Sequence, residues 1–80
     1  MKTVVYTQPD CRACERVIGK LRESGIDPEV IDVSRDLVAK DYLTRFLGAS
    51  AVPVIEAPGF DAVIGYQPDK VKEIIDALGV

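Results

Sequence analysis

Val4-Val5-Tyr6-Thr7 is an unbroken β-branched and aromatic run, the pattern of a strand buried on both faces. Pro9 and Asp10 break the run. Cys14, Val17, Ile18 and Leu21 then fall at i, i+3, i+4 and i+7, so they line one face of a first helix. Charged side chains fill its other side, and Gly25 after Ser24 supplies a stop. Gly19 weakens that helix and so predicts a close approach to a neighbouring element. Glu29-Val30-Ile31-Asp32-Val33, after Pro28, reads as a second strand. Ser34 is then the expected N-cap of a second helix, with Ala39, Tyr42, Leu43, Phe46 and Leu47 on its buried face and Gly48 at its end. Ala51-Val52-Pro53-Val54-Ile55 reads as a third strand, with Pro53 confined to its start or to an irregularity. Pro58-Gly59 marks a turn into a short fourth strand, Ala62-Val63-Ile64. Pro68 sits at the first position of a last helix that carries Val71, Ile74, Ile75 and Leu78 inward and stops at Gly79.

The predicted order is β-α-β-α-β-β-α, an α/β class. A helix between the first two strands implies a parallel, right-handed crossover. The short link between the last two strands implies an antiparallel hairpin. A four-stranded mixed sheet flanked by three helices follows. Eighty residues without a linker, repeat or low-complexity tract are expected to form one domain, 1–80.

Composition narrows the function. Hydrophobic residues make up 48%, enough for a core and too many for a disordered tail. A net charge of −3 argues against nucleic acid as a main partner, because phosphate binding wants a basic excess. The longest apolar run, Ala51 to Ile55, is far below the roughly 18 residues of a membrane span, and the first residues show no signal-peptide pattern. A cytoplasmic location is therefore expected. With no histidine there is no Ser–His or Cys–His couple and no His-ligated zinc. Two cysteines alone cannot close a four-ligand zinc site, so no metal site is expected within one chain.

Those two cysteines carry the chemistry. Cys11-Arg12-Ala13-Cys14 is a C-x-x-C motif between the first strand and the first helix of a βαβ unit, which reads as a dithiol redox site. Cys14 belongs to the apolar helix stripe and should be buried. Cys11 lies at the helix N-terminus, where unpaired backbone N–H groups and the helix dipole favour a thiolate. Arg12 adds a positive charge and Asp10 opposes it. Cys11 is thus the expected nucleophile and Cys14 the thiol that resolves the mixed disulfide. The pair could also be two buried core thiols, or half of a metal site shared between chains.

The segments Tyr6-Thr7-Gln8-Pro9-Asp10-Cys11-Arg12-Ala13-Cys14, Ala51-Val52-Pro53-Val54 and Gly65-Tyr66-Gln67-Pro68-Asp69 together resemble the glutaredoxin-like members of the thioredoxin superfamily, and among them the NrdH-type redoxins. The resemblance spans essentially the whole chain. It implies a thioredoxin fold, a redox-active Cys11–Cys14 disulfide with no other bound cofactor, and a cis Val52–Pro53 bond facing the dithiol. In such proteins the residue before the proline, here Val52, offers its backbone to the incoming substrate strand. The resemblance also makes Pro53, Arg12 and Tyr66 candidate substrate contacts. On strand grammar alone Pro53 merely removes one ladder bond, and Tyr66 is as readily a half-buried aromatic packing the last helix.

NrdH-type proteins pass electrons to ribonucleotide reductase and are recharged from NADPH by thioredoxin reductase. The resemblance implies the same two partners for this chain, acting as a monomer. Glutathione-reduced glutaredoxins carry a Gly-Gly-x-Asp type segment before the last helix and, like many NrdH proteins, a lysine just before the position of Pro9. Here Val63 to Asp69 lacks that segment, and Gln8 holds the lysine position. The NrdH pattern Trp-Ser-Gly-Phe-Arg-Pro-Asp is also altered, with Val63, Ile64, Tyr66 and Gln67 in place of Trp, Ser, Phe and Arg. A glutathione-dependent glutaredoxin is the alternative within redox chemistry. A dimeric iron–sulfur or zinc carrier is the alternative outside it, and it would need ligands from two chains.

Overall fold

In a computed structural model that describes residues 2–79, the chain forms β1 (Val4–Thr7), α1 (Arg12–Glu23), β2 (Glu29–Asp32), α2 (Leu37–Arg45), β3 (Val54–Glu56), β4 (Val63–Ile64) and α3 (Pro68–Leu78). The strands make one sheet in the order β2-β1-β3-β4. β1 pairs parallel with β2, in the register Val5↔Val30, and antiparallel with β3, in the register Tyr6↔Val54. β3 and β4 form the antiparallel hairpin. Order, sheet and strand directions are those expected from the sequence.

Alternation along β1 and β3 splits the core in two. Val5 and Ile55 point to one face, where Val17 and Leu21 of α1 and Val71 and Ile74 of α3 cover them. Tyr6 and Val54 point to the other, against Ala39 and Leu43 of α2. Val5, Val54 and Ile55 have no exposed surface, which is why these short central strands read as continuous apolar runs.

Four local expectations are corrected. Asp36, not Ser34, caps α2: its Oδ1 accepts from the Ala39 N–H at 3.0 Å. The Ser34 hydroxyl instead donates to Asp32 Oδ1 at 2.6 Å, and the Ser34 N–H donates to the same oxygen at 2.9 Å. Both serine and aspartate cap well, and the three-residue turn after β2 decides between them. Phe46 is not in the core. The helix ends at Arg45, leaving Phe46 at the C-cap, 77% exposed, with its ring against Tyr42 at a centroid separation of 5.8 Å. The third strand begins at Val54, because Pro53 has no N–H to donate to a ladder, and the Val52–Pro53 bond before it is cis. Gly19, lastly, makes no close approach: a Cβ there would meet nothing within 4 Å.

Candidate functional site

The sheet register gathers three loops at one end. Thr7 is the last residue of β1 and pairs with Asp32, the last of β2. Tyr6 pairs with Val54, so Pro53 lies one residue beyond that pair, on the side from which the chain leaves for Cys11. Val54 in turn pairs with Ile64, and the Gly65 N–H donates to the Pro53 carbonyl at 2.8 Å. The Cys11–Cys14 loop, the Val52–Pro53 loop and the Gly65-Tyr66-Gln67 segment therefore leave the sheet at the same edge.

Cys11 is the N-cap of α1, with an extended backbone, and its Sγ accepts from the Cys14 N–H at 3.2 Å. That contact occupies one of the four N–H groups that a helix start leaves unpaired. Cys14 lies in the first turn and is joined to Cys11 by a disulfide. The two sulfurs differ in access: Cys14 has no exposed surface and Cys11 is half-buried. Cys14, Val17 and Leu21 are the buried side of the helix, so the stripe that forms α1 also hides the second sulfur.

Asp10 turns the chain into this geometry. Its φ of 59° is left-handed, a conformation that aspartate adopts more readily than most side chains. The Pro-Asp dipeptide signals a turn in the sequence but does not show that the kink places the next residue at the cap. Gly65, at φ 80°, is the other position that the sequence does not mark as holding the site together. Only the fold reveals its hydrogen bond to Pro53.

The remaining candidate residues separate by burial. Pro53 is fully buried and Val52 half-buried. A shallow groove opens beside Val52, lined by Gln8, Val33, Lys40, Leu43 and Ala51 among others. Arg12 is exposed at the first position of α1, next to Cys11. Tyr66 is half-buried and packs on the core cluster that contains Val71 and Ile74, which accounts for it as a packing residue. Among the described residues no group of three or more Cys, Asp or Glu side chains is placed to hold a metal ion, and no helix is long and apolar enough to cross a membrane.

Residues 3–60 match the glutaredoxin family model. The chain is 49% identical over 72 residues to the gene 56 protein of Mycobacterium phage D29, covering 90% of this chain and 80% of that one. The gene 56 protein of Mycobacterium phage L5 is 46% identical over 72 residues, covering 90% and 70%. Among solved structures, NrdH-redoxin from Escherichia coli, described as a glutaredoxin-like protein with a thioredoxin-like activity profile, superposes with a TM-score of 0.82 at 30% identity, covering 92% of this chain and 95% of that one. Three helices around a mixed four-stranded sheet are the thioredoxin-like arrangement common to both.

Proposed function

The chain belongs to the glutaredoxin family and is a thiol-disulfide oxidoreductase, and on that premise we propose that Cys11 and Cys14 pass electrons to protein disulfides, ribonucleotide reductase foremost, and are recharged by thioredoxin reductase from NADPH. The observation that carries this reading is the asymmetry of the pair: an accessible sulfur on the helix N-cap, bonded to one with no exposed surface.

In the reduced protein the Cys11 thiolate attacks a substrate disulfide. One substrate sulfur joins Cys11 and the other leaves as a thiolate and takes up a proton. Cys14 gives up its proton and attacks Cys11 Sγ, which re-forms the internal disulfide and releases the second substrate thiol. Two electrons and two protons pass to the substrate. The N-terminal N–H groups of α1 favour the anion on Cys11 at the start, and again in the recharging direction, where Cys11 is released as the thiolate when the reductant's second sulfur closes its own disulfide. The polypeptide flanking the substrate disulfide lies along Val52, whose backbone makes no hydrogen bond among the described residues and can pair with an extended strand, with Arg12 and Tyr66 beside it and the buried Pro53 beneath. A recharging reductase runs the exchange in reverse.

Two features support thioredoxin reductase over glutathione as the electron source. Val63 to Asp69 lacks the Gly-Gly-x-Asp type segment that the resemblance associates with glutathione binding. The structurally similar NrdH-redoxin, 30% identical, is described as having a thioredoxin-like activity profile. NADPH oxidation followed on a disulfide substrate, with thioredoxin reductase and then with glutathione and glutathione reductase, tests the assignment. Turnover with thioredoxin reductase is expected, and turnover with glutathione alone overturns it. Independently, Cys14→Ser is expected to trap the substrate on Cys11. Trapping by Cys11→Ser instead reverses the two roles.

A further inference from the structure

Among the described residues, Arg12 and Arg16 of α1 lack the ion pairs that most cations of the other helices make. On α2 and α3, Arg45 pairs with Asp41 at 2.8 Å, Lys70 with Glu73 at 3.3 Å and Lys72 with Asp76 at 3.9 Å. Arg12 and Arg16 are exposed, and among the described residues neither makes an ion pair. Their positions also work against the helix. Arg12 is a cation at the positive end of the α1 dipole, and Arg16, one turn on, is a like charge at i+4 on the same face. Charge interactions within the helix therefore give no reason for either residue. Arg12 is adjacent to the accessible Cys11, and Arg16 lies two residues past Cys14. α1 holds four cations against two anions, in a chain whose net charge is −3. The anions nearest in sequence, Asp10 and Glu15, are exposed and bonded to neither arginine. Two arginines free of ion pairs among the described residues, near the reacting sulfur and on a protein whose net charge is negative, leave their guanidinium groups available to carboxylates of a partner.

We propose that Arg12 and Arg16 form a docking surface for disulfides flanked by acidic side chains on a partner polypeptide, and so set which substrates the dithiol reduces. The inference rests on the proposed attack by Cys11 and adds the substrate's charge to it. The exchange is the one already written: the partner's S–S bond is reduced to two thiols as the Cys11–Cys14 bond forms. The arginines hold the flanking carboxylates while Cys11 attacks, and such attraction raises the encounter rate at low salt more than at high salt.

Three synthetic peptides with the same internal disulfide, flanked by aspartates, serines or lysines, test this. The reduced full-length protein is mixed with each, and acid-quenched samples are resolved by chromatography. At low salt the acidic peptide is expected to react about tenfold faster than the basic one, with the ratio falling toward one in ~0.5 M salt. Both peptides meet the same thiolate, so a change in Cys11 acidity cancels in the ratio. Arg16→Glu is expected to collapse or invert the ratio, and Arg45→Glu, the same charge change on α2, to leave it unchanged. A low-salt ratio near one overturns the proposal, and so does an equal response to both substitutions. Failure to reduce any of the three peptides overturns the redox reading itself and this inference with it.

Discussion

Glu56 accepts a 2.6 Å hydrogen bond from the Tyr6 hydroxyl, diagonally across the antiparallel pair in which Tyr6 faces Val54 and Val4 faces Glu56. The second carboxylate oxygen accepts from the hydroxyl of Tyr42 on α2. Each oxygen thus holds one tyrosine, and the two rings lie 6.2 Å apart, tilted by 40°. This links α2 to the sheet at a place where apolar packing gives way to polar side chains. Burial, then the bond to Glu56 and its negative charge, pushes the Tyr6 hydroxyl far above its usual range. For Tyr42 the bond to Glu56 is the main cause of a shift in the same direction.

Stability should consequently fall at alkaline pH through these two groups. Both tyrosines keep their protons longer in the folded chain than in the unfolded one. Their contribution is complete below the ordinary value of 10.0 and is lost as pH rises above it, where the unfolded chain releases protons first. Urea unfolding followed by circular dichroism from pH 7 to 11 is expected to show that loss. The Tyr6→Phe variant should be weaker by about 1–2 kcal/mol at pH 7, with a shallower alkaline decline. The double variant with Tyr42→Phe should be shallower still. An alkaline slope identical to wild type in the double variant would exclude the carboxylate clamp as its source.

Gly19 offers a gain in the opposite direction. It lies inside α1, its conformation is helical, and the space a Cβ would fill is open. Gly19→Ala is expected to stabilise the fold by about 0.5–1 kcal/mol, the usual helix preference for alanine, and to leave disulfide reduction unchanged. Thermal unfolding of the two proteins side by side measures it, and a lower midpoint for the alanine variant would refute it.

The N-terminus of α2 separates two capping residues that the sequence pattern does not distinguish. Asp36→Ala removes the bond to the Ala39 N–H and should cost about 1 kcal/mol. Ser34→Ala should cost less, since Ser34 supports only the exposed turn at Asp32. Denaturant midpoints rank the two variants, and the reverse order would place the cap at Ser34 after all.

These examples mark what the sequence makes legible. Val5 and Ile55 face one side of the sheet and Val54 the other, and both sides are covered, so burial is written as uninterrupted apolar runs. The stripe of Cys14, Val17 and Leu21 likewise fixes both the helix and the hidden sulfur. Phe46 keeps the helical spacing yet lies outside, because spacing says nothing about where a nine-residue helix ends. Gly19 looks like a packing glycine because sequence does not report the empty space above it. Glu56 leaves no trace at all. Its partners are 50 and 14 residues away, and only the register of β1 on β3 and the placement of α2 bring them together.

The difference in access between the two sulfurs leads to a direct chemical expectation. Cys11 Sγ sits at the helix start, accepts the Cys14 N–H and is half-buried, while Cys14 has no exposed surface. After reduction, a brief pulse of iodoacetamide at pH 7 should therefore alkylate Cys11 and spare Cys14 until denaturant is added. The helix N-terminus favours the thiolate on Cys11, which adds to its advantage in access. Trypsin cuts after Arg12 and leaves the two cysteines on separate peptides, so mass spectrometry assigns the label without ambiguity. Equal labelling of both sulfurs in the folded protein would remove the asymmetry on which the proposed order of attack depends.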